Sequence, residues 1–429
     1  MTSSPNTLVR TIGRWSLTAL MVNSIVGVSI FKLPADLAAK LGWLSPISCV
    51  FAGTGILVVA GCIAEVSSRY DETGGLYLYA RDALGRFPGL LVAWLTWLTR
   101  IAAPAAAANL FCTYFAKFVP AAGSRHGTLL LLAVLIGHLA LLNYFGVHSG
   151  QRVSNFFTSV KVGFLLLFVL AGTIAWFVRP ALRVSFCLPR ASSSDWFTAM
   201  LLLVYAYGGF EGALFVGGET KNPKRDTPLA LLSALAGVGL LYTAVQLIVV
   251  SMLPNAGVSE RPLADAAERF LGPMGAALIG MAALVSAYGY LSANVLHAPR
   301  VTYAMGQRGD FPSFFAAVHP RFRTPHISIV IYAALVFVFA ALGNFQWNAV
   351  LSAVSRLAVY AAMAMAVPVL RRRNDGKAQF QLPLPYFFAG AAFVFSLVLL
   401  TQMGKAEFFV VGGTSAIALV NWFFIRKSP

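Results

Sequence analysis

The strongest constraint on this chain is the recurrence of apolar segments about as long as a bilayer is thick. Of its 429 residues, 58% are apolar and only 11% are charged. A helix needs about 20 mainly apolar residues to cross the hydrocarbon core. We therefore predict an all-α polytopic membrane protein with twelve transmembrane helices. The predicted spans are centred near Gly27, Leu57, Pro104, Leu139, Leu167, Gly209, Tyr242, Ser286, Leu335, Val359, Val394 and Ile417.

The basic residues predict an orientation. A net charge of +17 would suggest nucleic acid as the partner of a soluble protein, but in a membrane protein the loop that carries each charge matters more. With twelve crossings, 19 of the 32 Lys and Arg residues fall in loops on one side, nine on the other and four within spans. We therefore expect a multi-pass protein of the cytoplasmic membrane with both termini in the cytoplasm. Its basic loops need only the lipid bilayer as partner, not nucleic acid.

Two of the predicted spans carry interruptions. The first contains Gly27-Val28-Ser29 followed by Lys32 and Pro34, and the sixth contains Gly208-Gly209. Lipid cannot satisfy the backbone groups that a broken helix exposes, so each interruption must face protein or a water-filled cavity. Matching interruptions five spans apart predict inverted repeats.

These repeats give the predicted domain boundaries. They are a cytoplasmic N-terminus at 1–15, a first repeat at 16–180, an extracytoplasmic loop at 181–195, a second repeat at 196–372, and spans eleven and twelve with the C-terminus at 373–429. The polar segments 67–79 and 297–325 are predicted to be cytoplasmic loops, the first with a short interfacial helix.

The interruptions also predict a substrate site. Free amides at the first can receive a carboxylate at the positive end of a half-helix, and free carbonyls at the sixth can receive an ammonium group. A zwitterion would bridge the two. The alternative for the first is that small residues merely allow close helix packing. The predicted substrate-binding residues are Val26, Gly27, Val28, Ser29, Tyr205, Ala206, Tyr207 and Gly208.

Glu211 and Lys161 are the predicted proton-coupling residues. An intramembrane carboxylate is a functional hypothesis by default, because removal from water favours its protonated form and renewed contact with water favours proton release. The alternative is that Glu211 only caps the unwound segment by hydrogen bonding. Lys161 can occupy the place of a coupling ion inside the bundle, or it can reach back to the interface from a shallow depth.

Other chemistries lack a sequence signature. The four cysteines show neither metal-ligand spacing nor a CxxC pair, and the chain contains no nucleophile elbow, phosphate loop or HExxH helix. We therefore expect no cofactor, no metal and no enzymatic activity. The sequence leaves the oligomeric state open.

The segment around the sixth interruption resembles a known family. Phe210-Glu211-Gly212 and the polar run from Glu219 to Pro228 resemble motifs of the amino acid, polyamine and organocation (APC) permease superfamily. Further matches are Ile30-Phe31-x-x-Pro34, Glu72-Thr73-Gly74-Gly75 and Gly309-Asp310-Phe311-Pro312. The resemblance covers nearly the whole chain.

The resemblance implies a LeuT-like 5+5 inverted repeat with discontinuous helices 1 and 6 and alternating access to a central site. It also implies that Lys161 replaces a sodium site and that Glu211 takes part in proton-linked transport. One departure is the triplet Gly27-Val28-Ser29, where the family usually has glycine at the third position, so the carboxylate-binding loop should be tighter or differently shaped.

The sequence therefore favours a secondary transporter of amino acids or related amines, working by proton symport or by exchange. A second hypothesis is a membrane sensor that binds the same ligands without net flux, which the lack of a long cytoplasmic domain disfavours. A third is an integral-membrane enzyme, which the lack of clustered catalytic groups disfavours.

Overall fold

The computed structural model describes residues 12–70, 75–146, 151–188, 190–212, 214, 220–373 and 378–426, without the side chains of 151–160, 425 and 426. Residues 1–11 of the predicted N-terminal segment and the motif residues Glu72 to Gly74 and Glu219 lie outside these ranges. Within them the chain forms α-helices and short 3-10 turns and no β-strand. The helices are α1 Arg14–Ile25, α2 Leu33–Leu41, α3 Ser45–Ser67, α4 Gly75–Leu84, α5 Arg86–Phe115, α6 Arg125–Tyr144, α7 Gln151–Val178, α8 Ser193–Tyr207, α9 Pro223–Met252, α10 Pro262–Gln307, α11 His326–Leu342, α12 Phe345–Arg373, α13 Pro385–Leu400 and α14 Lys405–Arg426.

Helix length and composition identify a multi-pass membrane protein. Among the described residues, eight helical stretches are long and apolar enough to cross a bilayer, with α2 and α3 counted as one. The apolar helices α11 and α13 are somewhat shorter, at 17 and 16 residues. The all-helical, polytopic character predicted from the sequence is confirmed.

Two short helices end at interruptions in the bundle. Helix α1 ends at Ile25, and the chain passes through a 3-10 turn at Ser29–Phe31 before α2. Helix α8 ends at Tyr207, and Gly209 follows with a φ of 112°, a conformation that favours glycine. These are the residues at which the sequence predicts breaks.

Two loop boundaries differ from those predicted. Helix α10 continues to Gln307, so the first eleven residues of the predicted loop 297–325 are helical. Pro299 falls within this predicted loop, and a proline inside a helix removes one backbone hydrogen bond. It is instead buried inside α10, whose contacts with α5 are extensive. Helix α8 begins at Ser193, within the predicted loop 181–195.

The starts of α1, α5 and α9 carry contacts between distant parts of the chain, and the face of the bundle at the start of α5 is here called the terminal face. Arg14 at the start of α1 pairs with Asp226 at the start of α9, at 3.5 Å. Phe87 at the start of α5 contacts Trp422 near the end of α14. At this face the ends of α3 and α12 are joined by Glu65 and Arg371, whose Nε and Oε1 atoms lie 2.6 Å apart.

Removing the Glu65 carboxylate should destabilise the terminal face. Glu65 is 1% exposed, and its carboxylate also accepts a hydrogen bond from the Leu382 amide at 2.9 Å. Glu65→Ala therefore leaves the Arg371 guanidinium and the Leu382 amide without their acceptor. We expect a loss of about 3 kcal/mol, seen as a lower Tm of the purified protein in detergent. Glu268→Ala, at an exposed position of α10, is the control. Equal Tm values for the two variants would contradict the expectation.

Candidate functional site

The centre of the candidate site is an ion pair between Glu211 and Arg356. Arg356 in α12 places its Nε 2.9 Å from Oε1 of Glu211, just after α8. The Tyr360 hydroxyl donates to the same oxygen, and the Gly209 amide donates to Oε2 at 2.8 Å. Both charged residues are buried, at 8% and 6% exposure. The carboxylate is thus matched by a cation and two further hydrogen-bond donors.

The sequence left two roles open for Glu211, a functional carboxylate and a cap of the unwound segment, and the structure is compatible with both. Its bond to the Gly209 amide caps the unwound segment, while its contact with Arg356 makes it half of a buried charge pair. The carboxylate cannot take up a proton without weakening its attraction to the guanidinium.

Arg356 also reaches the end of α8. Its Nη1 donates to the Tyr205 carbonyl at 3.4 Å, and a Cβ built on Gly208 would lie 1.2 Å from that nitrogen. Only glycine at 208 leaves room for the guanidinium. A cation at a helix C-terminus is favoured by the macrodipole. One carbonyl predicted to receive a substrate ammonium therefore already has a cation of the protein beside it.

The two interruptions contact each other. The Tyr242 hydroxyl in α9 lies 3.1 Å from the Ile25 carbonyl and 3.4 Å from the Ala206 carbonyl. A Cβ built on Gly209 would lie 2.2 Å from the Ser24 oxygen, so the second interruption packs directly on the end of α1. The predicted residues of both interruptions are thereby brought to one place in the core.

The first interruption uses part of its backbone internally. The Val26 amide donates to the Val22 carbonyl at 2.8 Å, and the Gly27 amide donates to the Ile25 carbonyl at 2.7 Å. The amides of Val28 and Ser29 make no backbone hydrogen bond within the described ranges. Of the four predicted carboxylate-binding positions, these two have the amides best placed for a ligand.

Lys161 points into the bundle. Its Nζ donates to the Asn23 carbonyl at 2.8 Å, and the residue is 7% exposed. Asn23 lies in the last turn of α1, where carbonyls lack helical partners and the macrodipole is negative. This geometry favours an interior role for the ammonium over a reach to the interface.

A cavity extends from Glu211 toward the terminal face. Its empty space totals about 400 Å³, including the part that opens to solvent. At the terminal face, the Tyr77 hydroxyl donates to Asp310, and Arg81 lies 3.4 Å from the same carboxylate. The cavity is lined by Leu76, Tyr77, Ala93, Thr96, Trp97, Arg100, Glu211, Val301, Thr302 and Met305.

Sequence reasoning did not assign Arg356, Tyr360 or Tyr242 to the site. Lipid penalises an arginine within a span, so Arg356 is expected to face the interior or a vestibule, but the sequence does not identify its partner. Its spacing of four residues from Tyr360 places both on one helix face, which is a usable signal. In the described residues, no group of three His, Cys, Asp or Glu side chains could hold a metal ion.

Comparison with known proteins places this architecture in a family. The family model described as "Amino acid permease" matches residues 12–425. The chain is 29% identical to the methylthioribose transporter of Bacillus subtilis, covering 99% of this chain and 95% of the relative. It is also 29% identical to the serine/threonine exchanger SteT of the same organism, over the full length of both.

A third relative is the branched-chain amino acid permease BcaP of Bacillus subtilis. It is 26% identical over 94% of this chain and 90% of its own length. The family match covers nearly all of the chain, as do these three relatives. The chain belongs to the amino acid permease family.

Proposed function

We propose that this protein is a secondary active transporter that moves amino acids or related amines across the cytoplasmic membrane by alternating access. The proposal includes twelve spans in a LeuT-like 5+5 inverted repeat, with both termini in the cytoplasm. The observation that carries it is the contact between the two interruptions, with the Glu211–Arg356 pair at the second. Interrupted helices near the midplane build substrate sites in transporters of this kind.

The substrate carboxylate is proposed to bind the amides of Val28 and Ser29. Its ammonium is proposed to bind at the end of α8, where it competes with the Arg356 guanidinium for the last carbonyls. A proton on Glu211 would remove one of the contacts that hold Arg356 over Gly208. Proton binding and substrate binding would then favour each other, which is what symport requires.

Lys161 is proposed to supply the positive charge that a sodium ion would otherwise bring to the end of α1. Its contact with the Asn23 carbonyl supports this role, because it links α7 to the first interruption. The coupling is therefore proposed to use protons, or a second substrate in exchange, rather than sodium.

The primary test is uptake by purified protein in proteoliposomes. A pool of labelled amino acids and amines is supplied with or without an inward proton gradient, and with or without internal substrate. Accumulation driven by the gradient would support symport, and stimulation only by internal substrate would support exchange. Binding without flux would overturn the proposal in favour of a sensor.

Glu211→Gln should reduce proton-driven accumulation more than exchange, because the amide cannot release a proton. It also leaves Arg356 buried without its counter-charge, which should cost about 3 kcal/mol or more of stability. The double variant Glu211→Gln with Arg356→Gln removes both charges and should recover much of that loss in Tm. If uptake by the double variant keeps the pH dependence of the wild type, Glu211 is not the coupling group.

Gly208→Ala should lower uptake at least tenfold, since its Cβ would displace the Arg356 guanidinium from the end of α8. Gly212→Ala is a matched control four residues later, where a Cβ would meet no heavy atom of the described residues within 4 Å. Initial uptake rates are compared at equal reconstituted protein. Similar rates for the two variants would contradict a role for the position of Arg356.

Lys161→Met should lower uptake at least tenfold, because it keeps much of the side-chain length but removes the donor to Asn23. Lys117→Met, at an exposed position after α5, controls for loss of a lysine. The same uptake assay compares them. Wild-type rates in Lys161→Met would show that the buried ammonium is dispensable.

A further inference from the structure

The cavity beside Glu211 follows one face of each of two long helices. Its α5 lining comprises Ala93, Thr96, Trp97 and Arg100, and its α10 lining comprises Val301, Thr302 and Met305. Spacings of three and four residues recur in both sets, and such residues share one face of a helix. At a rise of about 1.5 Å per residue, the α5 lining extends for about 10 Å. The cavity therefore runs lengthwise between α5 and α10.

The two helices also give the cavity a direction. Helix α5 begins at the terminal face, and α10 ends there, because Phe311 after α10 stacks on Trp94 in the third turn of α5 with ring centroids 4.3 Å apart. Met305, in the last turn of α10, thus marks the end of the cavity near that face. Glu211, just after the second interruption, marks the inner end. The cavity connects the candidate site with the terminal face.

A hydrogen bond between two elements spans the outer end of the cavity. Tyr77 in α4 lines the cavity, and its hydroxyl donates to Asp310 in the turn after α10. Both residues are buried, at 6% and 4% exposure. Arg81, one turn further along α4, donates to the Tyr77 hydroxyl at 2.8 Å and lies 3.4 Å from the Asp310 carboxylate, with 43% of its side chain exposed. From the cavity outward, a phenol is followed by a carboxylate and then by a guanidinium that reaches solvent.

Both sides of this contact are defined by further interactions. The Asp310 amide donates to the Met305 carbonyl at 2.9 Å, and its carbonyl accepts from Nδ2 of Asn421 in α14 at 2.8 Å. Burial and the neighbouring carboxylate raise the pKa of Tyr77 to about 12, so its hydroxyl keeps its proton and remains a donor at physiological pH. A hydrogen bond to a carboxylate is stronger than one between neutral groups, but it still breaks and forms reversibly.

We propose that substrate passes between the candidate site and the terminal face through this cavity, and that the Tyr77–Asp310 hydrogen bond, supported by Arg81, closes its mouth. The route runs between α5 and α10 and past α4. This inference rests on the proposed function for the identity of what passes. The closing contact itself can be tested without transport.

The test of the closing contact is the labelling rate of a cysteine inside the cavity. Thr96→Cys is introduced together with Cys187→Ser, which removes the exposed native cysteine. The purified protein is placed in lipid nanodiscs, where a water-soluble maleimide has access to both faces. Tyr77→Phe keeps the ring but removes the donor to Asp310. It should raise the labelling rate about tenfold, as expected for loss of a hydrogen bond to a charged group.

A matched control comes from the same face of the bundle. The Tyr70 hydroxyl also donates to a carboxylate, that of Asp82, but Tyr70 is outside the described lining of the cavity. Tyr70→Phe should therefore leave the labelling rate unchanged. Arg81→Gln should raise it less than Tyr77→Phe, and it replaces that variant if Tyr77→Phe does not yield folded protein. Equal rates with and without the Tyr77 hydroxyl would overturn the closing contact.

The same cysteine tests the route. Modification of Thr96→Cys in proteoliposomes should lower uptake at least tenfold, because the adduct fills the cavity, and the labelled amino acid is the one selected by the pooled assay. Modification of the native Cys187, in protein without Thr96→Cys, should leave uptake intact. Full uptake after complete modification of Thr96→Cys would overturn the route. Failure of every amino acid and amine to be transported would instead overturn the proposed function, while the labelling result would still decide the closing contact.

Discussion

The contact between the Glu211 carboxylate and the Arg356 guanidinium is the interaction on which the arrangement of the core depends. It joins the turn after α8 to α12, and it holds a cation beside the Tyr205 carbonyl near the end of α8, in the core of the bundle. Either charge alone would be costly so far from water. Together they offset each other's charge beside an unwound segment whose free backbone groups lipid could not satisfy.

Packing around this pair relies on small residues at close approaches. Gly208 leaves space for the guanidinium, and Gly209 adopts a positive φ while lying against the end of α1. Lys161 contacts the same end of α1 from α7. The two interruptions therefore pack directly against each other, and polar contacts connect them to the three surrounding helices α7, α9 and α12.

Local residue chemistry made the interruptions predictable. Gly208-Gly209 and Gly27-Val28-Ser29 break the apolar pattern within spans, and the cost of exposing backbone to lipid applies whatever the fold. The partner of Glu211 was not predictable in the same way, because Arg356 is 145 residues away and its depth depends on how α12 packs. The end of α10 was misplaced for a related reason: tertiary packing accommodates Pro299 inside a helix, although proline usually ends one.

The position of Tyr242 has a consequence for motion. Its hydroxyl lies near two carbonyls, one at the end of α1 and one at the end of α8, but it has only one proton to donate. A tilt of α1 that lengthens the contact with Ile25 leaves that proton to Ala206, and the opposite tilt reverses the choice. The single O–H bond can therefore donate fully to only one of the two helix ends, so the relative orientation of these ends determines which carbonyl accepts it.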